Sequence, residues 1–392
     1  MKHYCLALLA SLVFAPTCAN GQLVISANDG KQPHLGDVPH DVTPDGIAVI
    51  DLNRYPPRVI GSVDVPFSMI GPPTSLAVAH DGSFAIVTNS QQLNPADPTK
   101  FIPDDKVSVI DLASPTHPIV LQTIASGAGA TGVSINRQDR LALVANLNAG
   151  TVSVYKIKKK KLVLVDTVRL DAKPNPCDVA ISPDGKMALV TQRYGTKIWR
   201  LAIDGTAVTV TGISYAPGTN TYGIAFSPDR KFAYNTNLLG RTTPEDLAGA
   251  RQRGPRIGTI TAIDLTANVV TTTVEVGPTP ENMAISPDGR YLAVTVVNGS
   301  SSRATAPGYN EFGLMKIYRV DGAQIAYVAE ARTGQWGQGA AWSRDGHVVL
   351  LQTAIDKTIE VYRFDGKSVA RDPDATLHFT KRPGALMSTL SR

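Results

Sequence analysis

Ala180-Ile181-Ser182-Pro183-Asp184-Gly185 recurs as Ala225-Phe226-Ser227-Pro228-Asp229-Arg230 and as Ala284-Ile285-Ser286-Pro287-Asp288-Gly289. Looser copies stand at Val78-Ala79-His80-Asp81-Gly82, Ile135-Asn136-Arg137-Gln138-Asp139 and Trp342-Ser343-Arg344-Asp345-Gly346. Each is a short apolar strand running into a tight turn: Pro presets the first turn torsion, Asp bonds back to the backbone, and Gly accepts a positive φ. A second strand follows, ending about eight residues past the turn, at Asn89, Asn146, Gln192, Asn237, Val296 and Thr353. A third strand of alternating β-branched residues comes next, such as Val107 to Leu112 or Val152 to Ile157, and then a fourth, such as Val269 to Val276.

Four short antiparallel strands per unit, repeated radially, are the blades of a propeller, and the fold class is all-β. Six copies are complete and the seventh is divided between the chain ends. Asn20-Gly21 followed by Leu23 to Asn28 aligns with Asp81-Gly82 through Asn89, so this unit begins after a missing first strand. Pro383-Gly384-Ala385-Leu386-Met387-Ser388 reads as that strand. The termini are therefore expected to share one blade and close a seven-bladed ring, burying an edge that would otherwise invite aggregation.

The Pro-Asp-Gly turns and the strand endings Val87-Thr88-Asn89, Val144-Ala145-Asn146 and Val190-Thr191-Gln192 resemble YVTN-type propeller repeats, found also in the lactonase-like seven-bladed propellers. The resemblance extends over residues 20–392 and implies the fold. Its motifs are turns and strand ends, and no catalytic motif carries over residue by residue.

Ahead of the repeats, Met1-Lys2-His3, an apolar run from Leu6 to Phe14 and the small-residue stretch Thr17-Cys18-Ala19 have the three parts of a secretory signal. Residues 1–19 are read as that signal, with a periplasmic or secreted propeller domain over 20–392. Ala15-Pro16-Thr17 is a poor flank for lipidation of Cys18. No apolar run approaches the ~20 residues needed to cross a bilayer, so no membrane insertion is expected. After cleavage only Cys177 is left, so no internal disulfide can form, and a small buried packing role is its expected one. The composition, 43% hydrophobic and 18% charged, is that of a globular chain rather than a disordered one. The charge of +5 is spread thinly, and Lys158 to Lys161 sit at a hairpin tip without interleaved aromatics, so nucleic acid is not an expected partner.

The loops between second and third strands differ sharply in length. Asp29–Asp45, Ser90–Asp105, Leu238–Ile257 and Val297–Phe312 are long, in blades one, two, five and six, whereas blades three, four and seven have only three or four residues there. Long loops on one face mark it as the working face, and two opposed walls flanking a cleft over the axis are expected. In the blade-five loop, Thr243-Pro244-Glu245-Asp246 starts a short helix to about Arg251. Arg241, Arg303 and Arg193 on this face offer paired donors for a carboxylate or phosphate, or pair with neighbouring acids. Nearer the axis, Asp178, Tyr222, Asn282, Trp336 and Gln338 precede or open the innermost strands. There they either bind a polar ligand or satisfy free backbone groups.

Two functions fit. One is an exported, monomeric propeller that binds a small polar or anionic molecule, or a partner protein. The other is a lactonase-like hydrolase or lyase, with Glu281 or His40 as general base and Arg193, Arg241 or Arg303 stabilising an oxyanion. No metal or cofactor is expected: the spacing of His34 and His40 matches no zinc pattern, and calcium enters only if Asp178, Glu281 and Asn282 converge.

Overall fold

The computed structural model describes residues 21–171, 174–239 and 257–389. The signal segment, Arg241 and the helix expected from Thr243 lie outside the described residues. Among the described residues the secondary structure is all strand, arranged as seven four-stranded antiparallel blades and one separate hairpin. Among the described residues no helix is long and apolar enough to cross a membrane. Blade one closes the ring as the repeats require: Arg382–Ser388 is its inner strand and pairs antiparallel with Leu23–Asp29, Val24 opposite Ser388 and Asp29 opposite Arg382.

The core is a ring of seven apolar interfaces, one between each pair of neighbouring blades. Strand alternation produces it. Val24 packs towards blade seven while Ile25 packs towards blade two, so both faces of the strand are buried and its sequence reads as a continuous apolar run. The fourth strands lie at the rim and are half exposed, as in Arg58–Asp64 and Lys161–Arg169.

Blades four to seven share one turn chemistry. Ser182 Oγ donates to Asp184 Oδ1 at 2.6 Å and accepts the Met187 N–H at 3.1 Å, while Gly185 takes φ +71°. The same Ser-to-Asp bond forms at Ser227, Ser286 and Ser343. The threonine near the end of each second strand has a different task. The inner strands of most blades bulge just after their first residue, so that Cys177 and Asp178 lie between the pairs Pro176 to Gln192 and Val179 to Val190. Thr191 Oγ1 accepts the freed Asp178 N–H at 3.0 Å and donates to the Tyr222 carbonyl of the next blade at 2.7 Å. Thr236 likewise accepts the Gly223 N–H at 2.9 Å. Thr191→Val keeps the shape and strands both backbone groups, so it is expected to cost about 1–3 kcal/mol in a denaturant melt.

One long segment differs from expectation. Ser90–Asp105 is a built hairpin, Gln91–Asn94 paired with Asp97–Pro103, rather than irregular loop.

Candidate active site

The bulges at the heads of the inner strands aim side chains that regular pairing would not. Glu281 is itself a bulged residue: Pro280 pairs with Val296 and Asn282 with Thr295, leaving Glu281 unpaired between them. The residue is 8% exposed and, among the described residues, its Oε2 has no hydrogen-bond partner. Burial pushes the carboxyl up to about 7, against the opposing pull of the Arg193 charge and of the donors on Tyr222 and Trp336. The Trp336 indole is thus near the carboxylate, yet its Nε1 closes no hydrogen bond of ordinary geometry.

Arg193 opens the short loop of blade four. Its guanidinium lies 5.1 Å from the Tyr194 ring centre and 5.7 Å from that of Tyr222. It is close enough to hold down the pKa of Glu281, but the two make no ion pair within 4.0 Å. Its Nε has no hydrogen-bond partner. The acid and the cation are therefore neighbours held at more than ion-pair distance. Tyr222 and Cys177 line the same cluster, and burial pushes both the Tyr222 phenol and the Cys177 thiol up, so both stay neutral.

The backbone around this pair is strained. At the residue entering the inner strand, blades three to seven all adopt positive φ: Gly129 at 76°, Asn175 at 40°, Asn220 at 60°, Thr279 at 58° and Trp336 at 54°. Gly and Asn take this conformation readily, whereas a β-branched Thr and a Trp cost of order 1–3 kcal/mol each. Trp336 is pinned there. Glu360 accepts the Gly334 N–H at 3.2 Å, Asp356 accepts the Gln335 N–H at 2.6 Å, and Ser300 Oγ accepts the Trp336 N–H at 2.9 Å. In addition, Thr295, at the position of Thr191 and Thr236, leaves its Oγ1 without a partner. The repeat's own rules are broken at blades six and seven, beside Glu281.

The remaining expected site residues separate. Asp178 faces the axis as a strut: it accepts Thr74 Oγ1 at 2.6 Å, the Val179 N–H at 2.8 Å and the Ile224 N–H at 3.0 Å, tying blades two, four and five. Burial raises its carboxyl to about 6. Asn282 also faces the axis, lining the central bore with Asp178. Trp336 is 2% exposed, so it presents no face for a ligand to stack on, and Gln338 is buried with its Oε1 unpartnered. His40 sits in an exposed part of its loop, its Nδ1 3.1 Å from Asp41, and no interaction joins it to Glu281. Among the described residues no group of three His, Cys, Asp or Glu side chains could hold a metal ion. Asp178 spends its oxygens on the strut, and Glu281 lies beside a guanidinium.

The rim also departs from two opposed walls. Leu35 donates its N–H to the Ser301 carbonyl at 3.0 Å and bridges Ser302, while Gln91 Nε2 donates to Gln32 Oε1 at 3.0 Å. Arg303 is engaged here, donating to the Gly36 carbonyl at 2.9 Å with Asp37 at 3.8 Å. The loops of blades two, one and six thus form one linked rim. The cause is the four-residue loop of blade seven, Ala354 to Lys357, which is too short to stand between them. Tyr194, which stacks on Arg193 and is 60% exposed, was not among the expected site residues. Its aromatic ring directly after an arginine in a short loop was the available signal.

A self-closed seven-bladed propeller with a buried acid and a neighbouring arginine that form no ion pair with each other is the class this structure defines. Within it, the chain belongs to the family described as "Lactonase, 7-bladed beta-propeller", whose model matches residues 46–376. A search of the curated proteins by sequence finds no match. Among solved structures, a candidate 6-phosphogluconolactonase of Bacteroides uniformis is 18% identical, with 94% of this chain and 99% of that chain covered at a TM-score of 0.70. The periplasmic gluconolactonase of Pseudomonas aeruginosa is 16% identical, with coverage of 94% and 98% and a TM-score of 0.65. The hydrazine synthase of Kuenenia stuttgartiensis, 16% identical over 77% of this chain and 79% of its own at a TM-score of 0.56, shares the architecture too. At such identities the likeness shows the fold alone.

Proposed function

We propose that the protein is a lactonase, hydrolysing the ring ester of a sugar lactone with Glu281 and Arg193. The observation that carries this is the buried Glu281 carboxyl, whose Oε2 has no hydrogen-bond partner among the described residues, beside an arginine whose charge it feels without forming an ion pair. A structural pair would close to an ion pair; a catalytic pair leaves room for the reacting atoms. Family membership and the gluconolactonase neighbours favour this reading over that of a binding module without chemistry.

Ionised Glu281 takes a proton from water as the water oxygen attacks the lactone carbonyl carbon. The guanidinium of Arg193, stacked on Tyr222 and Tyr194 and so fixed in direction, stabilises the oxyanion that forms. When the intermediate collapses, the ring C–O bond breaks and protonated Glu281 returns its proton to the leaving alkoxide. The product is the open hydroxy acid, and the carboxylate is regenerated. The partner is accordingly a small polar molecule, and export follows from the signal-like residues 1–19. A panel of aldonolactones, with and without a phosphate group, tests the reading: at least one is expected to open with saturable kinetics above the buffer rate. Tight lactone binding without turnover would return the protein to the binding reading.

A further inference from the structure

The central bore has a lining that includes neither Glu281 nor Arg193. It is a cavity of about 190 Å³ running from Thr74, Asp178 and Asn282 down to the prolines of the turn face, Pro183, Pro228 and Pro287. The Thr74 to Asp178 hydrogen bond links blades two and four past the inner strand of blade three, at the end nearest the long loops. The repeat itself keeps the bore open. Its first letter is Ala180, Ala225 and Ala284 in blades four, five and six and Ala341 in blade seven, and all four line the cavity. Larger side chains at this position would fill it.

The lining is polar at the floor and apolar along the wall. Asn282 is 6% exposed and lines the cavity, and its side-chain amide makes no hydrogen bond to another described residue. Gly223 makes room for it, since a Cβ there would lie 3.2 Å from Asn282 Oδ1. Above the floor the wall is formed by side chains such as Val179, Ile224, Met283 and Leu386, while Ser134 Oγ is engaged by the Ile181 N–H at 3.0 Å. Water is held well only where two to four polar partners surround it, which this wall does not supply. A cavity of roughly 150 Å³ suffices for benzene. Charge is disfavoured, because an apolar wall penalises it and Asp178 already accepts three hydrogen bonds.

We propose that the bore binds one small neutral amphiphile of phenol size from the turn face, with its hydroxyl on the Asn282 amide and its ring within the alanine girdle. The test uses phenol and toluene as probes. Calorimetry is expected to show saturable one-to-one phenol binding with a Kd of about 0.1–1 mM, the range open to a ligand of this size. With methyl-labelled methionine, phenol is expected to shift Met283 and Met387, which line the bore, and to leave Met69, Met187 and Met315 in place. Ala284→Leu and Ala225→Leu are each expected to weaken binding at least tenfold, and Asn282→Leu to abolish the preference for phenol over toluene. Absence of saturable binding, or shifts at methionines outside the bore, would overturn the proposal, and both are read on the unaltered protein.

Discussion

Glu281→Gln is expected to lower kcat for lactone opening by about 10²–10⁴-fold, the usual contribution of a positioned general base. The same substitution is expected to stabilise the fold above pH 7. In the native protein the Glu281 carboxyl titrates at about 7, raised from 4.5. The folded state therefore holds this proton more tightly than the unfolded chain. Stability from the protonated form is fully present below 4.5 and is lost as pH rises through about 7. A glutamine carries no such penalty, so the variant gains up to about 3 kcal/mol above that range, an upper bound from the size of the shift. Denaturant melts at acid and at mildly alkaline pH check this. Loss of activity joined to a gain in stability distinguishes a catalytic carboxylate from a structural one, whose removal lowers both.

Arg193→Met carries the second large effect. Removing a donor that stabilises an oxyanion costs about 10²–10³-fold in kcat. It also removes the charge that holds Glu281 down, so the carboxyl rises further above about 7. Because the general base acts ionised, the rate of the native protein climbs with pH through that value, and the inflection in the variant moves to higher pH. A pH profile of kcat for both proteins reads the shift. An inflection that stayed in place would show that Arg193 exerts no field on the group titrating in the rate. Tyr194→Ala, which removes one of the two rings stacked on the guanidinium, is expected to have a smaller effect of the same kind.

The blades were legible because their signals are local. Ser182, Pro183, Asp184 and Gly185 make a turn whose hydrogen bonds span only a few residues, and the pattern repeats at a fixed distance from the next strand end. Ring closure followed from the same pattern, since Leu23 to Asn28 lacked a first strand and Pro383 to Ser388 lacked a second. The long-loop boundaries matched the strands for the same reason, apart from the hairpin within Ser90–Asp105, whose polar strands carry little apolar alternation.

The site was legible only in its parts. Glu281 and Arg193 were nameable, but their meeting depends on a bulge that turns Glu281 out of register, and bulges leave no mark in periodicity. Asp178 and Asn282 face the axis while Cys177 joins the apolar cluster with Tyr222 and Leu238. One residue of offset thus separates a strut from a packing position. Arg303 read as a free cation because nothing local shows that the loop of blade one, 267 positions away in the chain at Gly36, crosses a short neighbour to meet it. The threonines of the strand endings had a family resemblance but no visible task until the bulges they satisfy were seen.

The most direct test is the background-corrected rate of gluconolactone ring opening by the unaltered protein as a function of pH. The account predicts saturable acceleration that climbs through an inflection near 7, the value to which burial lifts Glu281. Failure to accelerate the opening of gluconolactone or any other sugar lactone, or acceleration that Glu281→Gln leaves intact, would contradict it.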